Sequence, residues 1–371
     1  MNRRAYLSAA GLVLFAGCST SETTETPAPT TTTEATTTET PTETTTTAPT
    51  TTETPTETTT EEPETETTEE PDRVDRILNL AVADLTDAVT VFEDAAGPDG
   101  GFHDVNTATR LDFDTVAEPL YLARGHFNTL GQLEKTQEQE SQLTALQGVY
   151  WFLWWTAKTY ENLGSVRIRT NNAVTRFYDG EYYRIESAVE QISDALESAE
   201  NTFERILDES NPEQMDAFDV LSPDDYTRKV DDLETELAQF DRFGSLLTSM
   251  RSATERLQRG FDEYLDENYE DAMGSFFRAS LAFEDVSEAL AELDPIESLE
   301  TYVADFACLS DALAVGSDAM DEAATAGDRD IPEKQPELED EAQTAFESCE
   351  LTAERVPMVP AFFEALPDER T

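Results

Sequence analysis

Apolar residues recur every three to four positions through almost the whole chain after Pro71. This is the period of amphipathic helices, and no segment alternates apolar and polar residues as a half-buried strand would. The pattern therefore predicts an all-α domain over 72–371. Its first helix covers 72–96 and ends at Gly97-Pro98, and its apolar face consists of Ile77, Leu80, Ala81, Leu85 and Ala88.

A loop rich in glycine and aspartate follows over 97–112. It leads to a helix that begins near Asp114, where an aspartate can cap the first N–H groups and Pro119 is tolerated early in the helix. From Leu143 onward the periodicity predicts three helical hairpins. Their arms are 141–178 with 181–208, 226–266 with 269–293, and 297–326 with 334–356.

The second arm of each hairpin opens with a small residue, a large apolar residue four positions later and another small residue three positions after that. The instances are Ala188-Ile192-Ala195, Ala272-Phe276-Ala279 and Ala342-Phe346-Cys349. Spacings of four and three keep the three side chains on one stripe of a helix. The small residues let a partner helix approach closely, and the large residue fills the space between them.

One of these stripes extends into a longer pattern. Tyr269, Ala272, Phe276 and Ala279, with Gly260 in the preceding helix, have the spacing of the tetratricopeptide repeat, so about 30 residues resemble that family. The resemblance implies stacked antiparallel helical hairpins, an architecture that mostly binds peptides or proteins. Successive stripes are 84 and 70 residues apart, whereas the family period is roughly 34. An irregular helical bundle with generic packing is therefore the alternative.

The N-terminal residues predict export and lipid anchoring. Residues 1–17 combine two arginines, an apolar run too short to span a bilayer and a small-residue end, as in a secretory signal peptide. Arg3 and Arg4 resemble the twin-arginine export signal, and Leu14 to Cys18 resembles the lipobox of prokaryotic lipoproteins. The resemblance implies lipidation of Cys18 and a location on the outer face of the cytoplasmic membrane, facing the extracellular side.

The next segment, 19–71, contains only Thr, Glu, Pro, Ala and Ser, with 28 Thr and 13 Glu among its 53 residues. Without apolar side chains it cannot offset the entropy lost on ordering, so the composition predicts a disordered stalk. Thr and Pro at this density are also typical of O-glycosylated stalks. The predicted organisation is a signal peptide over 1–17, a lipidated cysteine and stalk over 18–71, and a helical domain over 72–371.

The helical domain is strongly acidic, with 67 acidic and 22 basic residues and a net charge of −45 before histidines. Self-repulsion of this size destabilises a compact state, and molar salt screens it because the Debye length falls to about 3 Å. Such a composition resembles the proteins of extremely halophilic archaea. It argues against nucleic-acid binding, because phosphates would be repelled, and it leaves the lipid as the expected membrane contact.

Cys308 and Cys349 lie about equally far from the turn of the third hairpin, so they face each other across its two arms. Outside the cytoplasm this arrangement favours a disulfide, and two buried free thiols are the alternative. A zinc site is not expected, because His103 and His126 with these cysteines are too few and too scattered for four ligands.

Asp99, Asp104, Asp112 and Asp114 lie in and beside the glycine-containing loop. Four carboxylates there could hold a hard cation such as Ca²⁺, although their spacing does not match the EF-hand. The alternative is a solvated acidic surface, since acidic residues are abundant throughout the chain. No other cofactor is expected.

Tyr150, Trp151, Trp154 and Trp155 lie in a segment of six residues that contains all three tryptophans of the chain. Its aromatic residues cover every side of a helix, so they are either buried in the bundle or partly exposed in a groove that receives a partner. The sequence contains no nucleophile elbow, phosphate-binding glycine loop, HExxH or redox CxxC, so no catalytic residues are assigned. We expect a non-enzymatic protein-binding or peptide-binding scaffold. The alternative is a small-ligand or cation receptor accessory to an envelope complex or transporter.

Overall fold

The computed structural model describes residues 69–331 and 333–366, and this part of the chain is all-helical, as predicted. The predicted lipidation site Cys18, the export residues Arg3 and Arg4 and nearly all of the predicted stalk lie outside it. Ten α-helices are described: α1 (Glu69–Ala96), α2 (Phe113–Leu130), α3 (Gln137–Tyr178), α4 (Ile185–Glu209), α5 (Pro223–Leu265), α6 (Tyr269–Ala291), α7 (Glu300–Asp328), α8 (Gln335–Phe346), α9 (Leu351–Arg355) and α10 (Met358–Ala365). None of the described helices is long and apolar enough to cross a lipid bilayer.

The helices form a stack of hairpins in chain order. Helix α3 packs along α4, α5 along α6, and α7 along both α6 and α8, while α1 pairs with α2. Helix α4 packs on α5, and α6 packs on α7, so successive hairpins are joined and one continuous apolar core runs through them. The predicted hairpin turns at 179–180 and 267–268 are confirmed, and each contains a residue with positive φ, Gly180 and Glu267.

Helix α1 begins at residue 69, three residues before the predicted start. Pro71 is compatible with this early start, because N–H groups in the first turn have no intrahelical acceptor to lose. The predicted apolar face was partly wrong. Ala81, Leu85 and Ala88 are fully buried, but Leu80 is 47% exposed, and Leu78 occupies the core position instead.

The small-large-small stripes are buried against neighbouring helices in all three hairpins. A Cβ atom added to Gly260 of α5 would lie 2.7 Å from the ring of Phe276, and one added to Gly316 of α7 would collide with the ring of Phe346. A glycine on the first arm therefore lies beneath the large residue of the second arm in two hairpins. This close approach is the packing that the spacing predicted.

The second arm of the third hairpin was predicted as one helix over 334–356, and this was wrong. Helix α8 ends at Phe346, and α9 and α10 follow as separate short helices. The chain leaves the helical path at 347–350, where Cys349 is joined to Cys308 of α7 by a disulfide with a Cα–Cα distance of 5.7 Å. Pro357 prevents a single helix from continuing, because it lacks an N–H group and disfavours helical geometry before it.

Helix α10, which follows Pro357, buries a phenylalanine ring against α5. Phe362 of α10 stacks on Phe261 of α5, with ring centroids 4.1 Å apart. A polar network lies nearby, in which the Tyr264 hydroxyl donates to Oε1 of Glu339 at 2.5 Å and accepts from the amide of Gln335 at 2.7 Å. Glu339 stands where the tetratricopeptide pattern expects an aromatic residue, and this network accounts for its burial.

Candidate functional site

The aromatic segment of α3 divides into buried and partly exposed residues. Tyr150, Phe152 and Leu153 are buried, with exposed fractions of 2% or less. The three tryptophans are partly buried and pack against the edge of the core. The tryptophans are only partly buried because the stripe of a helix that faces the core covers part of its circumference. Six consecutive residues surround the whole helix, so some of them must lie outside that stripe.

Two residues of α2 enlarge this exposed region. The ring of Trp154 contacts Phe113 and Tyr121 edge to face, with centroids 5.1 and 5.3 Å away. Trp151 stacks on Trp155 at 6.1 Å, one helical turn along α3. Phe113, Tyr121, Trp151, Trp154 and Trp155 are called the aromatic surface below. Tyr121 is its most exposed member, at 57%.

Charges near the aromatic surface are paired locally. The Lys158 ammonium lies 4.6 Å from the ring centre of Phe113 and pairs with Glu161. The indole N–H of Trp155 donates to Oε2 of Glu209 at 3.3 Å, and Arg205 pairs with the other oxygen of that carboxylate. Lys158 and Arg205 therefore each have an acidic partner beside the aromatic surface.

The four loop aspartates do not converge on one point in the structure. Asp104 accepts a hydrogen bond from the Gly101 N–H at 2.7 Å, and Asp112 is the N-cap of α2, accepting from the Asp114 N–H and the Thr115 hydroxyl. Asp112, not Asp114, is therefore the helix cap. The described residues contain no group of three or more His, Cys, Asp or Glu that could hold a metal ion, so Asp99, Asp104, Asp112 and Asp114 do not form a cluster.

The two histidines also face carboxylates. Nε2 of His103 lies 2.6 Å from Oδ1 of Asp225 at the start of α5, and Nε2 of His126 lies 3.2 Å from Oδ2 of Asp84 on α1. Both pairs join a segment to a distant helix and involve one histidine each. They are tertiary links between a histidine and a carboxylate of another helix.

The loop over 101–109 is held on α5 by a buried lysine. Lys229 is fully buried, and its ammonium donates to the carbonyls of His103 and Val105 at 3.0 and 2.8 Å and to the Tyr160 hydroxyl at 3.3 Å. The ammonium also lies over the rings of Phe102 and Tyr160. Burial lowers the pKa of Lys229 to about 8, although nearby carboxylates oppose this effect. With all three N–H groups donated, Lys229 anchors the loop and is not placed to attack a substrate.

A buried glutamate on the same helix holds the next part of the loop. Oε2 of Glu236 accepts from the Thr107 N–H at 2.8 Å and from the Thr107 hydroxyl. The Tyr160 hydroxyl donates to the Val105 carbonyl at 2.8 Å. Burial raises the pKa of Glu236. Side chains of α3 and α5 therefore hold the loop over 101–109 against these two helices.

A cleft of about 530 Å³ lies between this loop, α5 and the segment before α7. The second wall is fixed by Gln239, whose side chain accepts from the Ile296 N–H at 2.8 Å and donates to the Asp294 carbonyl at 2.7 Å. Asn106 donates to Glu297 at 3.1 Å and links the two walls. This polar cleft is lined by, among others, Val105, Asn106, Arg228, Asp232, Glu236 and Ile296.

The sequence analysis missed Lys229, Glu236 and Tyr160, as well as the contributions of Phe113 and Tyr121. The sequence does contain a pattern that could have identified Lys229 and Glu236. Lys229 and Glu236 fall on the buried stripe of α5 that also contains Tyr226, Leu233 and Phe240, at helical spacing. A charged residue on such a stripe predicts a buried, hydrogen-bonded group. The contact of Tyr121 with Trp154 joins two helices, and no pattern within either helix predicts it.

Comparisons with known protein families, with characterised proteins and with solved structures find no match to this chain. The aromatic surface and the polar cleft are the features of the described residues that bear on function.

Proposed function

We propose that this chain is a lipid-anchored binding module of the cell surface, and that its aromatic surface receives a segment of a partner protein. The observation that carries the proposal is a pair of ring contact sets, one of Trp154 with Phe113 and Tyr121 and one of Trp151 with Trp155, all partly exposed. The buried ring of Tyr150 contacts Trp151 and Trp154 and so joins the two sets. Tryptophan and tyrosine are enriched at binding hot spots, and contiguous exposed apolar surface is typical of interaction sites.

The charges around this surface define the partner. The ion pairs Lys158–Glu161 and Arg205–Glu209 balance their own charges beside the aromatic surface, whereas the whole domain carries a net charge of −45. A segment that docks here places its ends beside acidic surface. The fitting partner is therefore a protein segment with apolar side chains at its centre and Lys or Arg on its flanks. No catalytic step is assigned.

In this proposal the N-terminal region attaches the module to the membrane. A lipid on Cys18 would hold the chain at the membrane, and the 53 residues after it would set the distance between the membrane and the domain. The partner would then be another component of the cell envelope. Release of the intact protein from membranes after Cys18→Ser substitution would test this part separately.

Cross-linking in native membranes at molar salt tests the docking itself. All three tryptophans belong to the aromatic surface, so intrinsic fluorescence reports on it without a label. We expect Tyr121→Ala and Trp154→Ala to remove a cross-linked partner that the unmodified protein retains. Phe277→Ala is the matched control, since Phe277 is 51% exposed on α6, outside the aromatic surface.

A synthetic peptide from the cross-linked segment should then shift the tryptophan emission of the unmodified protein, and fluorescence should give the same affinity for the Phe277→Ala variant. Equal cross-linking of all variants, or a partner segment with acidic flanks, would refute the proposal.

A second function, that of a small-ligand receptor, is supported by a different observation. The polar cleft has a volume of about 530 Å³, within the range of about 300–1,000 Å³ that is typical of small-molecule sites. The buried Lys229 fixes one of its walls, and the half-buried Gln239 fixes the other. Ligand binding there does not depend on the aromatic surface.

A further inference from the structure

We infer that the polar cleft binds a small zwitterion with an ammonium group, a carboxylate and an apolar side chain, such as an aliphatic amino acid. This inference rests on the second proposed function, the ligand receptor, and is independent of protein docking at the aromatic surface.

The cleft contains one unpaired charge of each sign on the same face of α5. Arg228 and Asp232 are four residues apart, so they are neighbours on the helix surface, with Cβ atoms about 6 Å apart. Within the described part of the chain, neither side chain has a hydrogen bond or an ion pair. The Asp232 carboxylate is free to accept from an ammonium group, and the Arg228 guanidinium is free to hold a carboxylate at two points.

Other carboxylates in the cleft already accept hydrogen bonds from the protein. Glu236 is bound to Thr107, and Glu297 accepts from Asn106. Asp104 accepts from the Gly101 N–H. Since no described group of three such residues could hold a metal ion, an organic ammonium fits the unpaired carboxylate better than a metal ion does.

The rest of the cleft accommodates an apolar side chain. Ala96, Val105 and Ile296 contribute apolar lining beside the charged pair. The Val105 carbonyl is held by Lys229 and by Tyr160, and the Ile296 N–H is held by Gln239. Because these bonds fix both walls before a ligand arrives, binding need not order them, and this lowers its entropic cost.

Calorimetry with the mature full-length protein at molar salt tests the inference with three related probes. L-leucine carries both charges, 3-methylbutylamine lacks the carboxylate, and 4-methylpentanoate lacks the ammonium. We expect L-leucine to bind at least about tenfold more tightly than either of the other two compounds, because each of these leaves one protein charge unpaired.

Variants locate the site. Arg228→Gln and Asp232→Asn should each weaken L-leucine binding by about tenfold or more. Asp231→Asn removes an exposed carboxylate beside the cleft residues and should bind as the unmodified protein does. Unchanged helical circular dichroism of every variant separates a lost site from lost folding.

Three results would overturn the inference: no L-leucine binding at about 10 mM, equal binding of the amine and L-leucine, or equal binding by all variants. Tyr121→Ala should keep L-leucine binding, and Asp232→Asn should keep partner cross-linking. Failure at the cleft and failure at the aromatic surface are therefore distinguishable.

Discussion

Replacing Lys229 by Met should remove a specific pH dependence of stability. Lys229 is fully buried, and its pKa falls from an ordinary value of 10.5 to about 8 in the folded protein, because burial disfavours the charged form. Between these two values the unfolded chain binds more protons than the folded one, so the free energy of unfolding rises with pH.

The size of the rise follows from the two pKa values. Each pH unit between them contributes about 1.4 kcal/mol, so the free energy of unfolding should increase by about 2 kcal/mol between pH 7 and pH 9.5 through Lys229 alone. Stability at a single pH is less informative. Met removes the cost of burying a charge, but it leaves the His103 and Val105 carbonyls without their donor, and these effects oppose each other.

Urea unfolding at constant molar salt, followed by circular dichroism at several pH values from 7 to 9.5, measures the effect. The quantity to compare is the difference between the unmodified protein and Lys229→Met, because other titrating groups cancel in it. Lys334→Met, at an exposed lysine, is the control and should follow the unmodified protein. A Lys229→Met curve parallel to that of the unmodified protein would refute the account of Lys229 as a buried ammonium.

Three further predictions concern the packing and charge of the domain. Cys308→Ser should lower the free energy of unfolding by about 4 kcal/mol, because the disulfide closes a loop with a sequence separation of 41, and the loss should match that caused by reductant in urea unfolding. Gly260→Ala should cost about 1–3 kcal/mol, since the new methyl group meets the Phe276 ring. Gly125→Ala, in a helix with nothing within 4 Å, should stabilise by about 0.5–1 kcal/mol instead, and equal thermal unfolding of these two variants would contradict the packing. Lowering salt from molar to about 0.01 M should reduce helical circular dichroism, because the net charge of −45 is then unscreened, and full helicity at low salt would oppose this expectation.

Features that depend on local spacing could be read from the amino-acid sequence. The 3.6-residue period placed the long helices within a few residues, since a helix must bury one stripe of its surface wherever it packs. The small-large-small stripes predicted close helix contacts, and Gly260 beneath Phe276 has that geometry. Cys308 and Cys349 could be paired from their equal sequence distances to the predicted turn, although Cys349 lies beyond the end of α8 at Phe346.

Contacts between distant segments depend on the three-dimensional packing of the helices and could not be read from the sequence. The loop aspartates are an exception, because Asp104 and Asp112 accept from N–H groups only two or three residues away, yet composition alone cannot distinguish such local acceptors from metal ligands. Lys229 reaches the His103 carbonyl across 126 residues of sequence, and Tyr121 meets Trp154 from another helix. Neither contact leaves a local pattern, because it depends on how whole helices are oriented. The same reason explains why the tryptophan-rich segment could be found in the sequence, whereas its division into buried and exposed rings could not.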